Sequence, residues 1–511
     1  MDWNTVGIET NFSSLDWCIV VGYLIIIVAV GVYIKRYISN VTDFIVAGRG
    51  LKTFLAIATM IGTELGLVTV MYSSQKGFTG GFAAFHIALA AAIVTLIVGL
   101  TGFIVVPLRR LNVMTIPEYY ERRFGRGVRI LGGIILAFSG ILNMGLFLKA
   151  GSLFVMGITG LTRSVHLNII MSVLLGMVLL YTALGGMVSV VVLDYIQFVV
   201  LSFGLLTASL LSIRYLGWDN IIETVSSFKG RAGFDPFQGE EGFGVPYVVW
   251  MFFLGLVSCA VWQTAVIRAC SAENTRTVKK IYTWASIGFL MRFLLPYFLG
   301  ICAFVYMTGH ESLKNVFIPG GGSVDSQVSL MAMPVFLSQI LPVGLIGIIS
   351  AGMLAAFMST HDSYLLCWSS VLTQDVVAPW FKNGLSSKAR LLLTRIFIVA
   401  IGIFILVWGL WYDLGQDLWD YMAISGAIYF TGAIALLVFG LYWKRASKVG
   451  AYLALICGFG AILGLKPVQA LLGMNVSSEI VGLTVIALAI LAMIVGSLLF
   501  PQDRTYSEVK E

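Results

Sequence analysis

The sequence predicts an all-α polytopic membrane protein with thirteen transmembrane helices. Its mean hydropathy is +0.95, and only 11% of its 511 residues are charged, whereas about a quarter of the residues are charged in soluble domains. Apolar runs of about 20 residues, the length that crosses a hydrocarbon core, recur along the chain. This composition excludes a soluble globular protein.

The thirteen runs follow one another without room for a separate soluble domain. We therefore expect a single transmembrane domain over residues 1–511, in which the longest polar connection, 214–245, forms an outer loop. The predicted spans lie near 17–34, 53–73, 82–107, 128–156, 168–188, 191–213, 246–270, 281–307, 343–377, 391–411, 421–442, 449–465 and 480–499.

The distribution of Lys and Arg predicts the orientation. Most of the 32 basic residues lie in six segments, namely 35–52, 108–129, 268–280, 382–395, 444–448 and 504–510. With thirteen spans all six fall on one side, and basic loops face the cytoplasm. We therefore expect a multi-pass protein of the plasma (inner) membrane with its N-terminus outside and its C-terminus inside. The net charge of +7 then reflects loops that face anionic lipid, so it requires no nucleic acid, and the polar tail shows no obvious motif for a protein partner.

Two spans are interrupted by residues that disfavour a membrane helix. The second reads FLAIATMIGTELGLVTVMYSSQKGFTGG, with Glu64 at its middle between Gly62 and Gly66. An intramembrane carboxylate costs about 2.5–3.5 kcal/mol unless it is paired or faces water, and glycine tolerates an unwound backbone. The seventh span ends in SCAVWQTAVIRAC, which is also polar at depth. Because discontinuous helices in matching positions are typical of inverted repeats, we expect a 5+5 inverted repeat of spans 2–6 and 7–11 with broken helices at spans 2 and 7.

The ninth span contains LAAFMSTHDSYLLC, with a row of polar residues inside an apolar helix. At about 100° per residue, Ser359, Thr360, Asp362 and Ser363 share one face, and His361 points away. Hydroxyl and carboxylate oxygens without nitrogen or sulfur ligands suit a hard cation, which we expect to be sodium. Backbone carbonyls of an unwound span two would complete its coordination.

Two other interpretations of these polar residues exist. Serine and threonine often hydrogen-bond their own or a neighbouring helix, so Ser359 and Thr360 alone are also consistent with helix packing. Asp362 favours the ion site, because intramembrane acids are functional by default. Asp194 and Asp362 would also suit an intramembrane aspartyl protease, but the flanking LDY and HDS do not match the YD and GxGD motifs of that class.

Six motifs resemble the sodium:solute symporter family, whose fold is that of the bacterial leucine transporter with extra terminal helices. They follow in the family's order across nearly the whole chain: DFIVAGRGL (43–51), TIPEYYERRFG (115–125), YTALGGMVSVVVLDYIQ (181–197), VIRACSAE (266–273), AAFMSTHDS (355–363) and GLYWKRASKVGAY (440–452). The resemblance implies a sodium-coupled secondary active symporter, not an enzyme, that imports a small organic solute.

The resemblance also implies which residues hold sodium. The family's main site uses two carbonyls of span two with one carbonyl and two hydroxyls of span nine, which are here Gly62, Leu65, Ala356, Ser359 and Thr360. Members with a second sodium add positions that are here Asp194, Asp362 and Ser363. Leu193 stands where threonine is usual and Asp362 where serine is usual, so this second site is expected to hold either another cation or a proton.

Substrate contacts in the family come from broken span two and from spans three, four, seven and eleven. The candidates here are Glu64, Gly66, Asn143, Trp262 and Gln263. The carboxylate of Glu64 suits an amine-bearing solute such as an amino acid, because it would repel an anion. The alternatives are that Glu64 serves the cation, that the solute is a sugar or a carboxylate, or that the scaffold is a sensor. Trp262 is equally consistent with helix packing.

Two further charges lie within apolar runs. Arg292 is expected to snorkel to a membrane interface. Lys149 is expected to face the outer vestibule or to pair with an acid.

Overall fold

The computed structural model describes residues 9–34, 52–161, 163–238, 243–319, 325–381, 384–412 and 415–501. Within these ranges the regular structure is helical throughout. The all-α class predicted from composition is therefore confirmed. The motif at 43–51 and the tail after Pro501 lie outside the described residues.

The first half of the described chain contains ten α-helices. They are α1 (Ser14–Ile34), α2 (Thr53–Glu64), α3 (Leu67–Gly80), α4 (Phe85–Thr101), α5 (Val105–Arg110), α6 (Ile116–Phe124), α7 (Arg126–Met144), α8 (Phe147–Thr159), α9 (Ser164–Leu216) and α10 (Trp218–Lys229). The last of these lies in the predicted outer loop, which is therefore partly helical.

The second half of the described chain contains eleven more. They are α11 (Val245–Val261), α12 (Gln263–Ser271), α13 (Thr275–Thr308), α14 (Glu311–Phe317), α15 (Ser326–Ile340), α16 (Leu345–Val371), α17 (Ser387–Trp411), α18 (Leu418–Tyr442), α19 (Lys448–Phe459), α20 (Lys466–Leu472) and α21 (Ser478–Leu499). A π-helical turn, Leu372–Val377, extends α16.

The structure does not confirm the count of thirteen spans. By length and composition alone, eight helices in the described ranges can cross a membrane, or ten if each of two bent pairs is one span. Span two is not counted as one membrane-crossing helix, because it is divided into two short helices, α2 and α3. Spans five and six, predicted at 168–188 and 191–213, lie in one 53-residue helix, α9, so the expected boundary between them is not a break in the helix. The side chains of Tyr181 and of 183–194 are outside the described part of the chain.

Span two is interrupted between α2 and α3, as its glycines and carboxylate predicted. Leu65 (φ −93°, ψ 63°) and Gly66 (φ −91°, ψ 168°) leave the helical conformation. The hydroxyl of Thr69 donates to the Glu64 carbonyl at 2.7 Å and so satisfies a backbone acceptor at the end of α2. An unwound backbone within a membrane is tolerated where it lies against protein, and both residues are buried.

Span seven is interrupted at Trp262, which separates α11 from α12. The two helices form an angle of 41°, and Trp262 has an extended conformation with φ −69° and ψ 125°. The chain therefore contains broken helices at both predicted positions.

Helix α16 lies at the centre of the helical assembly. Every residue from Ile349 to Val371 is buried, whereas Leu392, Ile403 and Val407 of α17 expose apolar side chains. A helix that is buried all round is shielded by other helices rather than by lipid. The polar residues of α16 therefore face other helices of the protein rather than lipid.

The carboxylate of Asp16 holds the start of α16. Its Oδ1 accepts hydrogen bonds from the backbone nitrogens of Gly344 (2.8 Å) and Gly347 (2.9 Å), and it is fully buried. An acceptor with negative charge stabilises the N-terminus of a helix. Through Asp16, α1 fixes one end of the helix that contains the candidate ion ligands.

Candidate functional site

A cavity of about 110 Å³ lies beside the breaks of spans two and seven. It is lined by residues of the predicted spans two, three, four, seven and eleven, and also by spans eight and nine. The lining residues are Glu64, Tyr72, Ile87, Ala91, Thr95, Asn143, Met251, Leu254, Gly255, Ser258, Cys259, Trp262, Phe289, Arg292, Phe293, Tyr364, Trp419, Met422, Ala423 and Phe430.

An ion pair between Glu64 and Arg292 provides the charged groups of this cavity. Arg292 Nη1 lies 3.0 Å from Glu64 Oε2, and the Thr264 hydroxyl donates to Glu64 Oε1 at 3.2 Å. The Glu64 side chain is 17% exposed and that of Arg292 is 8% exposed. The prediction that Arg292 snorkels to an interface is therefore wrong, because its charge is compensated by Glu64 inside the protein. The pair leaves the cavity without net charge from these two residues.

Aromatic rings of α13 hold the Arg292 guanidinium in place. Its Cζ lies 4.1 Å from the ring centroid of Phe289 and 4.4 Å from that of Phe293, a geometry in which the cation is attracted to the ring face. Arg292 Nε is buried and has no hydrogen-bond partner among the described residues. The guanidinium is thus ordered by its surroundings and retains an unused donor.

Asn143 and Trp262, two of the candidate solute contacts, line the cavity. Asn143 donates to the Met422 carbonyl at 2.8 Å, and Trp262 Nε1 donates to the Tyr364 hydroxyl at 3.1 Å. Both donors are therefore used to join neighbouring helices. Their roles toward a solute stay a prediction.

The structure places Gln263 and Gly66 outside the cavity lining. Gln263 is fully buried and accepts from the Ile116 nitrogen at 3.0 Å while donating to the Met114 carbonyl at 3.3 Å. Its side chain therefore anchors the segment that leads into α6. Gly66 lies against Thr360 instead, so closely that an added Cβ would overlap the Thr360 hydroxyl.

Three aromatic rings, those of Tyr72 in α3, Phe293 in α13 and Trp419 in α18, lie along the cavity. The ring centroids of Tyr72 and Trp419 are 4.9 Å apart, and those of Phe293 and Trp419 are 5.5 Å apart. These residues could not be predicted from the sequence, because aromatic side chains are common in apolar spans and carry no positional signal of their own.

A charge cluster of one buried lysine and two partly buried aspartates lies one helical turn beyond Tyr72. Lys76 Nζ is 2.8 Å from Oδ2 of both Asp417 and Asp420, and the Tyr247 hydroxyl donates to Asp420 Oδ1 at 2.9 Å. These contacts join α3 to the start of α18 and to α11. They tie the second half of broken span two to helices from the second half of the chain.

One of the candidate sodium ligands, Thr360, lies against the break in span two. Ser359 and Thr360 are buried on α16, and Thr360 Oγ1 donates to the Ala356 carbonyl at 3.0 Å. The overlap that a Cβ at Gly66 would produce shows that Thr360 touches the unwound segment. The helix break is therefore in contact with one of the predicted hydroxyl ligands.

The candidate second cation or proton site, at Asp194, Asp362 and Ser363, has the guanidinium of Arg268 beside it. Arg268 Nη2 donates to the Ser363 hydroxyl at 3.2 Å and Nη1 to the Thr264 carbonyl at 2.8 Å. Arg268, the first residue of the basic segment 268–280, is buried in α12 and does not lie in a loop. Asp362 is also buried, and the side chain of Asp194 lies outside the described residues.

Two other intramembrane polar residues are placed by the structure. His361 contacts Phe357 and Phe147, with ring centroids 4.0 Å and 5.5 Å away, so it faces aromatic rings rather than the break in span two. Lys149 is buried, and its ammonium donates to the Tyr412 carbonyl at 2.8 Å. It therefore contacts the end of α17 and is not directed at the cavity.

The family profile of the sodium:solute symporters, described as "Sodium:solute symporter family", matches residues 44–458. The chain belongs to this family. The resemblance inferred from six short motifs is thereby confirmed over most of the chain.

Curated relatives transport different solutes. The human sodium/myo-inositol cotransporter is 27% identical over 88% of this chain and 66% of its own length, so the chain spans slightly less than two thirds of that relative. The sodium/sialic acid symporter NanT of Aliivibrio fischeri is 26% identical over 89% of this chain and 88% of its own. The sodium/glucose cotransporter of Vibrio parahaemolyticus is 22% identical over 90% and 86%.

Solved structures of other transporters share the fold of this chain. A substrate-bound, outward-open structure of a Na⁺-coupled sialic acid symporter superposes with a TM-score of 0.80 at 20% identity, covering 96% of this chain and 100% of that one. MhsT in complex with L-phenylalanine superposes with a TM-score of 0.53 at 14% identity, covering 88% and 98%. These similarities concern the fold alone.

We predict that Gly66→Ala destabilises the protein by about 1–3 kcal/mol, the usual effect of overpacking, because the new methyl group overlaps the Thr360 hydroxyl. Thermal unfolding in detergent, followed by tryptophan fluorescence, measures the change. Gly176→Ala is the control, since nothing lies within 4 Å of its added Cβ. A Gly66→Ala variant as stable as the parent would show that the break and α16 are not in contact.

Proposed function

We propose that the protein is a sodium-coupled secondary active symporter that imports a small polyhydroxylated solute across the plasma membrane. The observation that carries the proposal is the Glu64–Arg292 pair in a cavity rimmed by aromatic rings. Hydroxyl groups hydrogen-bond to both members of such a pair, and the apolar face of a sugar or cyclitol ring packs on aromatic side chains. Relatives named for myo-inositol, glucose and sialic acid support the same solute class.

The expectation of an amine-bearing solute is not supported. It required Glu64 to offer an uncompensated negative charge to the solute. Arg292 supplies the compensating charge at 3.0 Å, so a solute ammonium would compete with a guanidinium that is already in place. The sugar alternative fits the cavity better, because a neutral solute does not change its charge balance.

The proposed main sodium site combines the break in span two with α16. Its ligands would be the carbonyls of Gly62, Leu65 and Ala356 with the hydroxyls of Ser359 and Thr360. Oxygen donors suit a hard cation, and the contact between Thr360 and Gly66 supports the arrangement. Because Glu64 adjoins the same break and lines the cavity, sodium that orders the break would also position a residue that faces the solute.

A second cation or proton site at Asp194, Asp362 and Ser363 is the less favoured part of the proposal. The Arg268 guanidinium already donates to the Ser363 hydroxyl and would repel a second cation nearby. We therefore assign the coupling to the main site, and solute uptake should rise hyperbolically with sodium concentration.

The proposed mechanism is alternating access between two inverted repeats of spans 2–6 and 7–11. Breaks in the first member of each repeat support this layout. The cluster of Lys76, Asp417 and Asp420 joins α3 to α18, and its separation would accompany opening on that side. No covalent chemistry is involved.

The proposed topology has thirteen spans with the N-terminus outside. It is supported by the Lys- and Arg-rich segments, because a thirteen-span topology places all six of them on the cytoplasmic side. Single cysteines introduced at Asp2 and Lys510 should react with an impermeant maleimide from opposite sides of the membrane, with residue 2 accessible from outside. Labelling of both positions from one side would rule out an odd number of spans.

We predict that replacing both Ser359 and Thr360 by alanine abolishes sodium-driven uptake, because two of the five proposed ligands disappear from one small site. Uptake of labelled myo-inositol, D-glucose and sialic acid into proteoliposomes, with and without a sodium gradient, is the measurement. The matched control replaces Ser369 and Ser370, two buried hydroxyl residues further along the same helix. Sodium-driven uptake that survives in the first variant would refute the site.

A further inference from the structure

The Glu64–Arg292 pair has the geometry of a receptor for two adjacent hydroxyl groups. Glu64 Oε2 and Arg292 Nη1 are 3.0 Å apart, which is close to the separation of the oxygens in a gauche vicinal diol. The carboxylate only accepts hydrogen bonds and the guanidinium only donates them. A diol matches this polarity, because one hydroxyl can donate while its neighbour accepts.

Both members of the pair retain hydrogen-bonding capacity. A carboxylate offers about four lone-pair positions, and Thr264 and Arg292 use two of those on Glu64. A guanidinium has five N–H donors, and the one bond that Arg292 makes among the described residues goes to Glu64. Its buried Nε has no partner there. Since Arg292 lines the cavity, the terminal N–H groups that Glu64 does not use are the donors that a solute oxygen would meet.

The pair is also held in a defined orientation before any solute arrives. Thr264 fixes one carboxylate oxygen, and the rings of Phe289 and Phe293 pack on the guanidinium. These contacts come from three different helices, α2, α12 and α13. A preorganised binding group loses little conformational freedom when the ligand binds.

We propose that Glu64 and Arg292 orient the solute by binding a vicinal diol, with one hydroxyl donating to Glu64 and the adjacent one accepting from Arg292. This inference rests on the proposed function and narrows its solute class to polyols and sugars with two neighbouring free hydroxyls. A solute carboxylate would be attracted by Arg292 but repelled by Glu64 at the same place. The pair therefore discriminates by hydroxyl pattern rather than by charge.

Deoxy analogues test this inference on the unmodified protein. The best of myo-inositol, D-glucose and sialic acid in sodium-driven uptake serves as the labelled probe, and its single-deoxy derivatives serve as competitors. We expect two adjacent positions at which loss of the hydroxyl weakens competition about 10- to 100-fold, because the buried pair is then left unsatisfied. Losses within about twofold at every position, or concentrated at two non-adjacent ones, would overturn the inference.

Paired substitutions identify the residues responsible. Glu64→Gln combined with Arg292→Gln removes both charges together, which avoids leaving one buried charge unpaired. In this variant the parent solute and its critical deoxy analogue should compete about equally, whereas the sodium-induced rise in melting temperature should be retained. Arg123→Gln is the control, since it removes a buried arginine that binds the Gly440 carbonyl away from the cavity. Retained discrimination in a folded double variant would refute the role of the pair.

The uptake and competition results distinguish failure of the diol receptor from failure of the proposed function. If none of the three probes accumulates with sodium, the proposed function fails and the inference fails with it. If a probe accumulates but its deoxy analogues compete equally well, only the diol receptor fails. If converting the sialic acid carboxylate to its methyl ester is the one change that weakens competition, Arg292 binds a carboxylate, and the diol assignment is wrong.

Discussion

A carboxylate in the middle of a membrane helix has to be compensated, and the arrangement around Glu64 follows from that requirement. An isolated charge at this depth costs several kcal/mol, and here Arg292 of α13 supplies the opposite charge at 3.0 Å. The pair connects helices from the two halves of the chain and lies at the wall of the cavity. Breaking it by removing one partner would leave a buried charge, which typically costs about 3–5 kcal/mol. The ion pair is therefore both a structural link and the polar centre of the candidate solute site.

The break in span two places ion and solute chemistry side by side. Gly66 contacts Thr360 of α16, and Glu64, two residues earlier, faces the cavity. A cation bound by the unwound carbonyls and by the α16 hydroxyls would restrict the same segment that presents Glu64. In this arrangement no long pathway between sites is needed for coupling, because both ligands would act on one short, irregular piece of backbone. The burial of α16 from Ile349 to Val371 and the hydrogen bonds that Asp16 accepts at its start hold in place the helix that carries these hydroxyls.

Local signals in the sequence predicted the breaks, whereas contacts between distant residues were missed. Glycines around Glu64 and polar residues at the end of span seven identified both interruptions, because unwinding depends on the residues at the break itself. Arg292 was misplaced since its partner lies 228 positions away, and a snorkelling arginine has the same local sequence as a paired one. Two unexplained opposite charges in apolar spans were nevertheless a usable sign that they pair. A basic residue at the end of an apolar span gives no local sign of whether it is buried, so Arg268, which is buried in α12, was grouped with the basic segment 268–280. The boundary within α9 shows the opposite limitation, since hydropathy separates two spans where the helix is continuous.

If sodium and solute stabilise one shared state of the protein, each must raise the affinity for the other, and reciprocal binding measurements test this directly. The affinity of the purified protein for myo-inositol, or for whichever of the three probes it takes up, is determined by calorimetry at low and at saturating sodium, and sodium affinity is determined with and without the same probe. Coupled sites require equal factors in the two directions, typically about 5- to 150-fold. We expect solute affinity to rise with sodium by such a factor, and sodium affinity to rise by the same factor with solute. Solute affinity that is independent of sodium, in a protein that binds both ligands, would show that the two sites are not coupled.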